Sequence, residues 1–184
     1  MPLLTTQSAR SYGLNRYISL SNNSFESIAT YTVTSALNTV TFTSIPDTYA
    51  SLQIRIFART SSQGNSAYWT YFNNDLTNSN YSYHLFGGDG SSFSQSSTAR
   101  PDMGGVRDNA WSTCVIDIPD YTNTSKRKTR RGFSGVIAPS VGSVFYNGGL
   151  WNNTAAVNRI DIRPESNSAN FITGSVFALY GLRG

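Results

Sequence analysis

The sequence is poor in charged residues, cysteine and histidine. Only 13% of its 184 residues are Asp, Glu, Lys or Arg, about half the usual share. A single thiol, Cys114, excludes an intrachain disulfide and any zinc site built from several cysteines, and a single imidazole, His84, excludes clustered histidine ligands. The sequence therefore predicts no metal and no cofactor, and it predicts stability that comes from packing and assembly.

Long apolar runs and repeats are missing as well. No run reaches membrane-spanning length, and the first residues, Met1 to Leu4, lack the basic start and apolar core of a signal peptide. There is no internal repeat, heptad or Gly-X-Y run, so the chain does not build a fibrous shaft of its own. These absences predict a soluble protein without membrane contact that is not secreted through a signal peptide.

The residues that are abundant favour strands and turns. Ser, Thr and Asn make up roughly a third of the chain and aromatic residues 13%, and both groups are poor helix formers. The predicted strands are 25–33, 39–44, 51–59, 67–73, 80–86, 111–118, 129–137, 143–151, 157–163 and 171–181. Many short strands separated by turns predict an all-β, two-sheet antiparallel sandwich of jelly-roll type spanning 23–184. Residues 1–22 carry no apolar period and are predicted to form an extended N-terminal arm.

Strand boundaries follow from alternation and turn chemistry. Apolar residues alternate with polar ones at Leu52, Ile54, Ile56 and Ala58, again at Cys114, Ile116 and Ile118, and again at Ile160 and Ile162. Asn147-Gly148 is a strong hairpin signal. The Ser-rich stretch 87–109 exceeds an ordinary connection, which predicts a loop that is functional, mobile or ordered by a partner.

The last predicted strand, Phe171 to Gly181, is apolar on both sides. Phe177 and Leu179 share one face of it, while Val176, Ala178 and Tyr180 share the other. Such a strand suits a position covered by a second sheet on one side and by a neighbouring subunit on the other. Phe177 and Leu179 are therefore predicted to contribute to an oligomer interface.

One loop holds the only dense charge cluster, which consists of Lys126, Arg127, Lys128, Arg130 and Arg131. Without these five, 14 − 5 = 9 basic residues stand against 10 acidic ones, so the net charge of +4 is local. The functional interpretation is that Lys126, Arg127 and Lys128 bind an acidic partner surface, and the alternative is a solvated loop. Nucleic acid is disfavoured because no basic face extends the cluster.

Two further groups suggest chemistry. Tyr68, Trp69, Tyr81 and Tyr83 are candidates for glycan contact, since flat rings stack on the apolar faces of sugars; the alternative is that they fill the core. His84 could act as a general base for Ser82 or Ser94, oriented by Asp75 or Asp89, but no Gly-x-Ser-x-Gly motif accompanies it. The sequence therefore favours a protein without enzymatic activity.

Read as a series, seven motifs resemble a group of tailed-bacteriophage virion proteins, over about residues 25–184. The motifs are, in chain order, Phe42-Thr43-Ser44-Ile45-Pro46, Tyr49 with Leu52-Gln53-Ile54-Arg55, Phe72-Asn73-Asn74-Asp75, Asn80-Tyr81-Ser82-Tyr83-His84, Val115-Ile116-Asp117-Ile118-Pro119-Asp120-Tyr121, Gly149-Leu150-Trp151 and Phe177-Ala178-Leu179-Tyr180-Gly181. The resemblance implies a head-decoration or tail-fibre protein. The loop after Tyr121 departs from the family pattern, because it is mixed and polar there and basic here.

Together these observations predict a non-enzymatic virion protein, assembled in the host cytoplasm, that forms a trimer and decorates the capsid. The alternative is a receptor-binding domain of a tail fibre, possibly one that binds a host surface glycan, and a polysaccharide hydrolase is third. Attachment to major capsid or tail proteins is assigned to the arm. The anchoring residues proposed there are Leu3, Leu4, Arg10 and Tyr12.

Overall fold

The protein is a twelve-stranded β structure with one short 3₁₀ turn in its described part. The computed structural model describes residues 24–61, 65–107, 110–138 and 141–184. The strands are β1 (Phe25–Thr32), β2 (Val40–Phe42), β3 (Ser51–Ala58), β4 (Asn65–Phe72), β5 (Tyr81–Gly88), β6 (Phe93–Thr98), β7 (Asp102–Arg107), β8 (Ser112–Pro119), β9 (Lys128–Ala138), β10 (Val141–Trp151), β11 (Ile160–Pro164) and β12 (Val176–Leu182), and the 3₁₀ turn is Asn78–Asn80. The predicted arm, with Leu3, Leu4, Arg10 and Tyr12, lies outside the described residues.

Two antiparallel sheets face each other. The large sheet has the order β1-β12-β3-β8-β9-β10-β5-β6, and the small sheet has the order β2-β11-β4-β7. With β5, β6, β9 and β10 set aside, the remaining strands form β1-β12-β3-β8 opposite β2-β11-β4-β7. The chain then changes sheet at every connection except the one from β4 to β7, which is the strand order of a jelly roll. The predicted two-sheet sandwich is confirmed, and four extra strands extend one of its sheets.

Alternating apolar residues form the centre of the sandwich. Leu52, Ile54 and Ile56 on β3 are buried, and Ile54 lies opposite the equally buried Ile116 of β8. Burying one such side chain contributes about 1.5–3 kcal/mol to the stability of the folded state. Buried aromatic rings fill the space beneath, and they include Tyr68, Tyr71, Phe72, Tyr81, Trp151, Phe171 and Phe177. The alternation predicted from the sequence is therefore confirmed at the strands where it is clearest.

The structure differs from the prediction in the stretch 87–109. Two strands, β6 and β7, lie there instead of a long loop. All six residues of β6 are exposed, and its sequence, Phe-Ser-Gln-Ser-Ser-Thr, has no alternation of apolar and polar residues that would mark a strand. The strand β7 contains the pair Gly104-Gly105, and glycine is depleted in strands and common in turns. Both strands owe their formation to the neighbouring strands with which they pair, β5 and β4.

Two boundaries also differ. Asn147-Gly148 lies inside β10, paired with Gly132 and Arg131 of β9, because the long β9–β10 hairpin overrides the local turn preference. The last strand begins at Val176 rather than at Phe171, which instead makes isolated bridges to Leu37 and Thr60. Gly174, in the left-handed region at φ +90°, bends the chain before β12.

Candidate functional site

The outer surface of the extended sheet carries a group of exposed apolar side chains. We call this group the aromatic face, and its members are Phe57, Phe86, Phe93, Trp111, Phe133, Val144 and Tyr146. They come from β3, β5, β6, β9 and β10 and from the residue that precedes β8. Side chains alternate between the two sides of a strand, and the register of the sheet places the strand members of this group on its outer side. Single exposed apolar residues are common on proteins, but a contiguous group of them marks a binding surface.

Strand register brings these side chains together. Tyr146 pairs with Phe133 on one side and with Phe86 on the other, so three aromatic residues lie side by side across three strands. The ring centroids of Phe133 and Tyr146 are 5.6 Å apart, and those of Phe86 and Phe93 are 4.7 Å apart. Both distances lie in the range of favourable edge-to-face ring contacts.

Glycines flank the middle of the aromatic face and leave clefts there. Val144 pairs with Gly135 and Gly88, neither of which has a side chain to cover the sheet. A cleft of about 430 Å³ is lined by Phe86, Phe93, Phe133, Val144 and Tyr146 among others. A second cleft of about 580 Å³ extends toward Trp111, which stacks on Phe57 at 4.8 Å. The face therefore has ridges of rings and grooves of glycine backbone, a relief suited to interdigitation with a partner.

The rim of the aromatic face is polar and carries charges of both signs. Arg131 of β9 pairs with Asp117 of β8 at 3.0 Å, one row away from Phe133 and Tyr146. His84 is exposed in the same row of the sheet. An apolar centre with a polar rim is the usual anatomy of a protein–protein interface.

The predicted oligomer interface on the last strand is wrong. Phe177 and Leu179 are completely buried between the two sheets, and the Phe177 ring packs against Phe171 at 4.7 Å. The side of β12 that faces outward carries Val176, Ala178 and Tyr180. Sequence alternation shows that two faces exist, but it does not show which of them the same chain covers.

Most of the predicted glycan-contact residues are also unavailable. Tyr68 and Tyr81 are fully buried in the core, where the Tyr81 hydroxyl donates to the Asp75 carbonyl at 2.9 Å. Burial raises the pKa of both phenols. Trp69 is half-buried against the core. Tyr83 is buried too, but it lines a cavity described below.

The basic cluster divides into surface and interior residues. Lys126 and Arg127 are exposed, as predicted for a docking loop. Lys128 is 1% exposed, so its predicted contact with a partner is wrong. Its ammonium group instead donates to the carbonyl oxygens of Lys126 and Thr154, each at 2.9 Å, and to that of Asn123. Burial lowers the pKa of this lysine.

The second half of the cluster behaves in the same way. Arg130 is buried, and burial lowers its pKa to about 10. Its guanidinium lies 5.1 Å from the Tyr81 ring and 5.6 Å from the Phe72 ring, and it donates to the Thr70 carbonyl. Because β9 alternates in and out, Lys128 and Arg130 face the interior while Arg131 faces solvent. The cluster is thus partly a structural element.

The structure does not assemble the triad considered for His84. Asp75 accepts hydrogen bonds from Trp151 and Asn80, and Asp89 accepts from the loop serines that follow it. His84 itself stands exposed on the outer side of β5. Within the residues that the structure describes, no three His, Cys, Asp or Glu side chains gather in a way that could hold a metal ion. The same part of the chain has no helix that is long and apolar enough to span a bilayer.

A cavity of about 320 Å³ lies on the inner side of the sheet extension. We call it the Arg100 cavity, and its lining residues are Ser66, Ala67, Tyr83, Leu85, Gly88, Asp89, Ser94, Arg100, Asp102, Gly104, Gly105, Ser143, Phe145 and Glu165. The small sheet ends at β7, whereas the large sheet continues through β5 and β6. The overhang leaves the inner surface of these strands uncovered, and that is where the cavity lies.

Arg100 organises the polar side of this cavity. Its guanidinium bonds Asp102 and Glu165, each at 2.6 Å, and lies 5.9 Å from the centroid of the Tyr83 ring. Burial alone would lower the pKa of Arg100, but the bond to Asp102 and the charges of both carboxylates raise it. Asp102 is 3% exposed, and no described residue forms a hydrogen bond with its Oδ1 or with the Nε of Arg100.

Comparisons with known proteins identify no family for the chain. No protein-family description matches the sequence, and no curated protein matches it either. Among solved structures, the CBM40 of the Ruminococcus gnavus IT-sialidase is similar with 13% identity, 76% of this chain and 90% of that chain covered, and a TM-score of 0.26. An aerolysin-like protein of Bombina maxima has 8% identity, covers 80% of this chain and 87% of its own, and has a TM-score of 0.15. These TM-scores are too low to establish a shared fold.

Proposed function

We propose that the protein is a non-enzymatic structural protein of a phage virion surface and that it assembles with copies of itself through the aromatic face. The observation that carries the assembly is the contiguous group of exposed rings on β5, β6, β9 and β10. Exposing such a group to water is unfavourable by roughly 25 cal/mol for each Å² of apolar surface. Binding of a partner that covers the surface removes this unfavourable free energy. The placement on a virion rests on the sequence resemblance.

The occupant of the face is proposed to be a second copy of the same chain. The rim places Arg131 beside Asp117, so it presents both signs of charge and does not repel an identical surface. The ring ridges and the glycine grooves around Val144 occur on the same face, which allows the ridges of one copy to enter the grooves of another. The choice of a trimer over a dimer rests on the sequence resemblance alone.

Light scattering on the purified chain tests the assembly. We expect a mass of 3 × 20.1 = 60.3 kDa for the unmodified protein, and a monomer mass for the double variant Phe133→Ser, Tyr146→Ser. The matched control is Leu76→Ser, because Leu76 is 48% exposed, close to the 50% of Phe133, but lies outside the aromatic face. A monomeric unmodified protein at micromolar concentration would refute the assembly, as would a variant that keeps the oligomer mass.

The place in the particle has a separate test. Hundreds of copies per virion on a stained gel would support a capsid decoration protein, which is the location we propose. A few to tens of copies would instead support the receptor-binding domain of a tail fibre. Lys126 and Arg127 remain the residues proposed for contact with an acidic capsid or tail surface, since both are exposed on the loop that precedes β9.

A further inference from the structure

The Arg100 cavity has the size and lining of a small-ligand site. We propose that it binds one sugar ring that carries no negative charge, either a neutral hexose or an amino sugar. The proposal is independent of self-assembly, because the cavity lies on the inner side of the extended sheet and the aromatic face on the outer side.

The cavity is large enough for one ring. Its 320 Å³ lies at the lower end of the range of roughly 300–1,000 Å³ found for small-molecule sites. Tyr83 of β5 and Phe145 of β10 supply aromatic surface in its wall. Gly105 allows this wall to form, because a Cβ at that position would lie 2.5 Å from the Phe145 ring. Aromatic surface suits the apolar side of a sugar ring.

The polar groups of the cavity match hydroxyls. The Oδ1 of Asp102 is a buried acceptor and the Nε of Arg100 is a buried donor, and neither has a hydrogen-bond partner among the described residues. A buried polar atom without a partner is unfavourable, more so when it belongs to a charged group. A hydroxyl both donates and accepts, so a hydroxyl-bearing ligand can bond the carboxylates and the guanidinium of the residues that line the cavity. The pairs of Arg100 with Asp102 and Glu165 hold the carboxylates in place before binding.

Charge decides which sugars fit. The cavity is lined by one cation, Arg100, and three carboxylates, those of Asp89, Asp102 and Glu165. The excess of negative charge disfavours uronic and sialic acids, whose carboxylates would face like charge in a partly enclosed space. Neutral hydroxyls are accepted, and an ammonium substituent is favoured.

Ligand-observed NMR and calorimetry on the full chain test the proposal, with D-glucose, D-galactose, N-acetyl-D-glucosamine and D-glucosamine as probes and D-glucuronate as the anionic comparator. We expect saturable binding of at least one non-anionic probe with a Kd of about 1 mM. Glucuronate should bind at least tenfold more weakly. Absence of saturable binding by all four non-anionic probes would overturn the proposal, and so would glucuronate binding as tightly as they do.

Matched variants on β6 locate the site. Ser94 lines the cavity and is exposed, so Ser94→Trp should block its entrance without disturbing the core. Ser97, exposed on the same strand, does not line the cavity, and Ser97→Trp serves as the control. Asp102→Asn should weaken binding at least tenfold, with melting temperature measured for every variant. Unchanged binding by a folded Ser94→Trp protein, or loss with Ser97→Trp, would show that the sugar binds elsewhere.

Discussion

Replacing Lys128 by methionine tests whether the interior half of the basic cluster stabilises the fold. Methionine keeps a long unbranched side chain and removes the ammonium group. The three backbone carbonyls that Lys128 now satisfies come from Asn123 and Lys126 in the loop before β9 and from Thr154 after β10. The ammonium therefore fastens two loops to each other at one end of the sandwich.

The expected loss follows from these bonds. A hydrogen bond to a charged group contributes about 1.5–3 kcal/mol, and three such bonds would give several kcal/mol if they added. Part of this loss of stability is offset, because methionine is neutral and its burial does not require removing water from a charged group. The lowered pKa of Lys128 reflects that cost of desolvating the ammonium. We therefore expect the free energy of unfolding to fall by about 3 kcal/mol. For a domain of this size the melting temperature then falls by roughly 6–12 °C.

Urea denaturation and calorimetry measure the change. Lys126→Met is the matched control, since it removes the same group from an exposed side chain whose pair with Asp120 lies in solvent. We expect the control to change stability by less than about 0.5 kcal/mol. If Lys128→Met unfolds at the same temperature as the unmodified protein, the three carbonyls are solvated without the lysine and the structural role assigned here is wrong.

Two further outcomes are expected. Burial would raise the pKa of Asp75, but hydrogen bonds from Trp151, Asn80 and Thr77 outweigh burial and lower this pKa below 3.8. The stabilisation by the Asp75 carboxylate is therefore complete above pH 3.8 and is lost as the pH falls through the folded-state pKa. Asp75→Asn should be about 1 kcal/mol less stable than the unmodified protein at pH 7, and acid unfolding curves should show this difference shrinking as the pH falls. Burial raises the pKa of Cys114 to about 12, so a thiol reagent at pH 8 should label it only in urea, and rapid labelling of the folded chain would contradict its placement in the core.

The core was predictable from sequence because its signal is local. Alternation at Leu52, Ile54 and Ile56 identifies β3 and the side of it that is buried. The strands of the sheet extension have a weaker signal, since β6 has no buried residue and Asn147-Gly148 imitates a turn within β10. In both segments the strand forms because it pairs with a neighbouring strand, and the sequence of the segment does not identify that neighbour.

The candidate sites were harder to predict for a related reason. Lys128 looks like part of a solvated run in the sequence, and only the alternation of β9 turns it inward. The residue type alone does not distinguish Tyr68 and Tyr81, which lie in the core, from Tyr146, which is exposed. Phe133 and Tyr146 offer one usable signal, because aromatic residues at positions that face outward from a long hairpin are not buried in the core of their own chain.

The residues that carry the phage resemblance are mainly framework residues. Asp75 accepts from the Trp151 indole at 2.8 Å, which joins the end of β4 to the end of β10. The Tyr121 hydroxyl donates to the Pro46 carbonyl, which joins the loops that precede β3 and follow β8. Gly181 leaves room for Tyr49, whose ring lies within 2.5 Å of where a Cβ would be. A resemblance of this kind bears on the arrangement of the strands more than on the ligand.

The four extra strands are therefore where function is best sought. The strands of the jelly roll proper bury their inner residues against each other, whereas the large sheet continues past β9 and β10, which β7 contacts, into β5 and β6, which extend beyond the small sheet. An overhanging sheet has two incompletely covered surfaces. Here the outer one carries Phe133 and Tyr146 and the inner one borders the Arg100 cavity. Since Ser97 and Ser94 alternate between these surfaces on the edge strand β6, we expect single substitutions there to affect the proposed assembly and the proposed ligand binding separately.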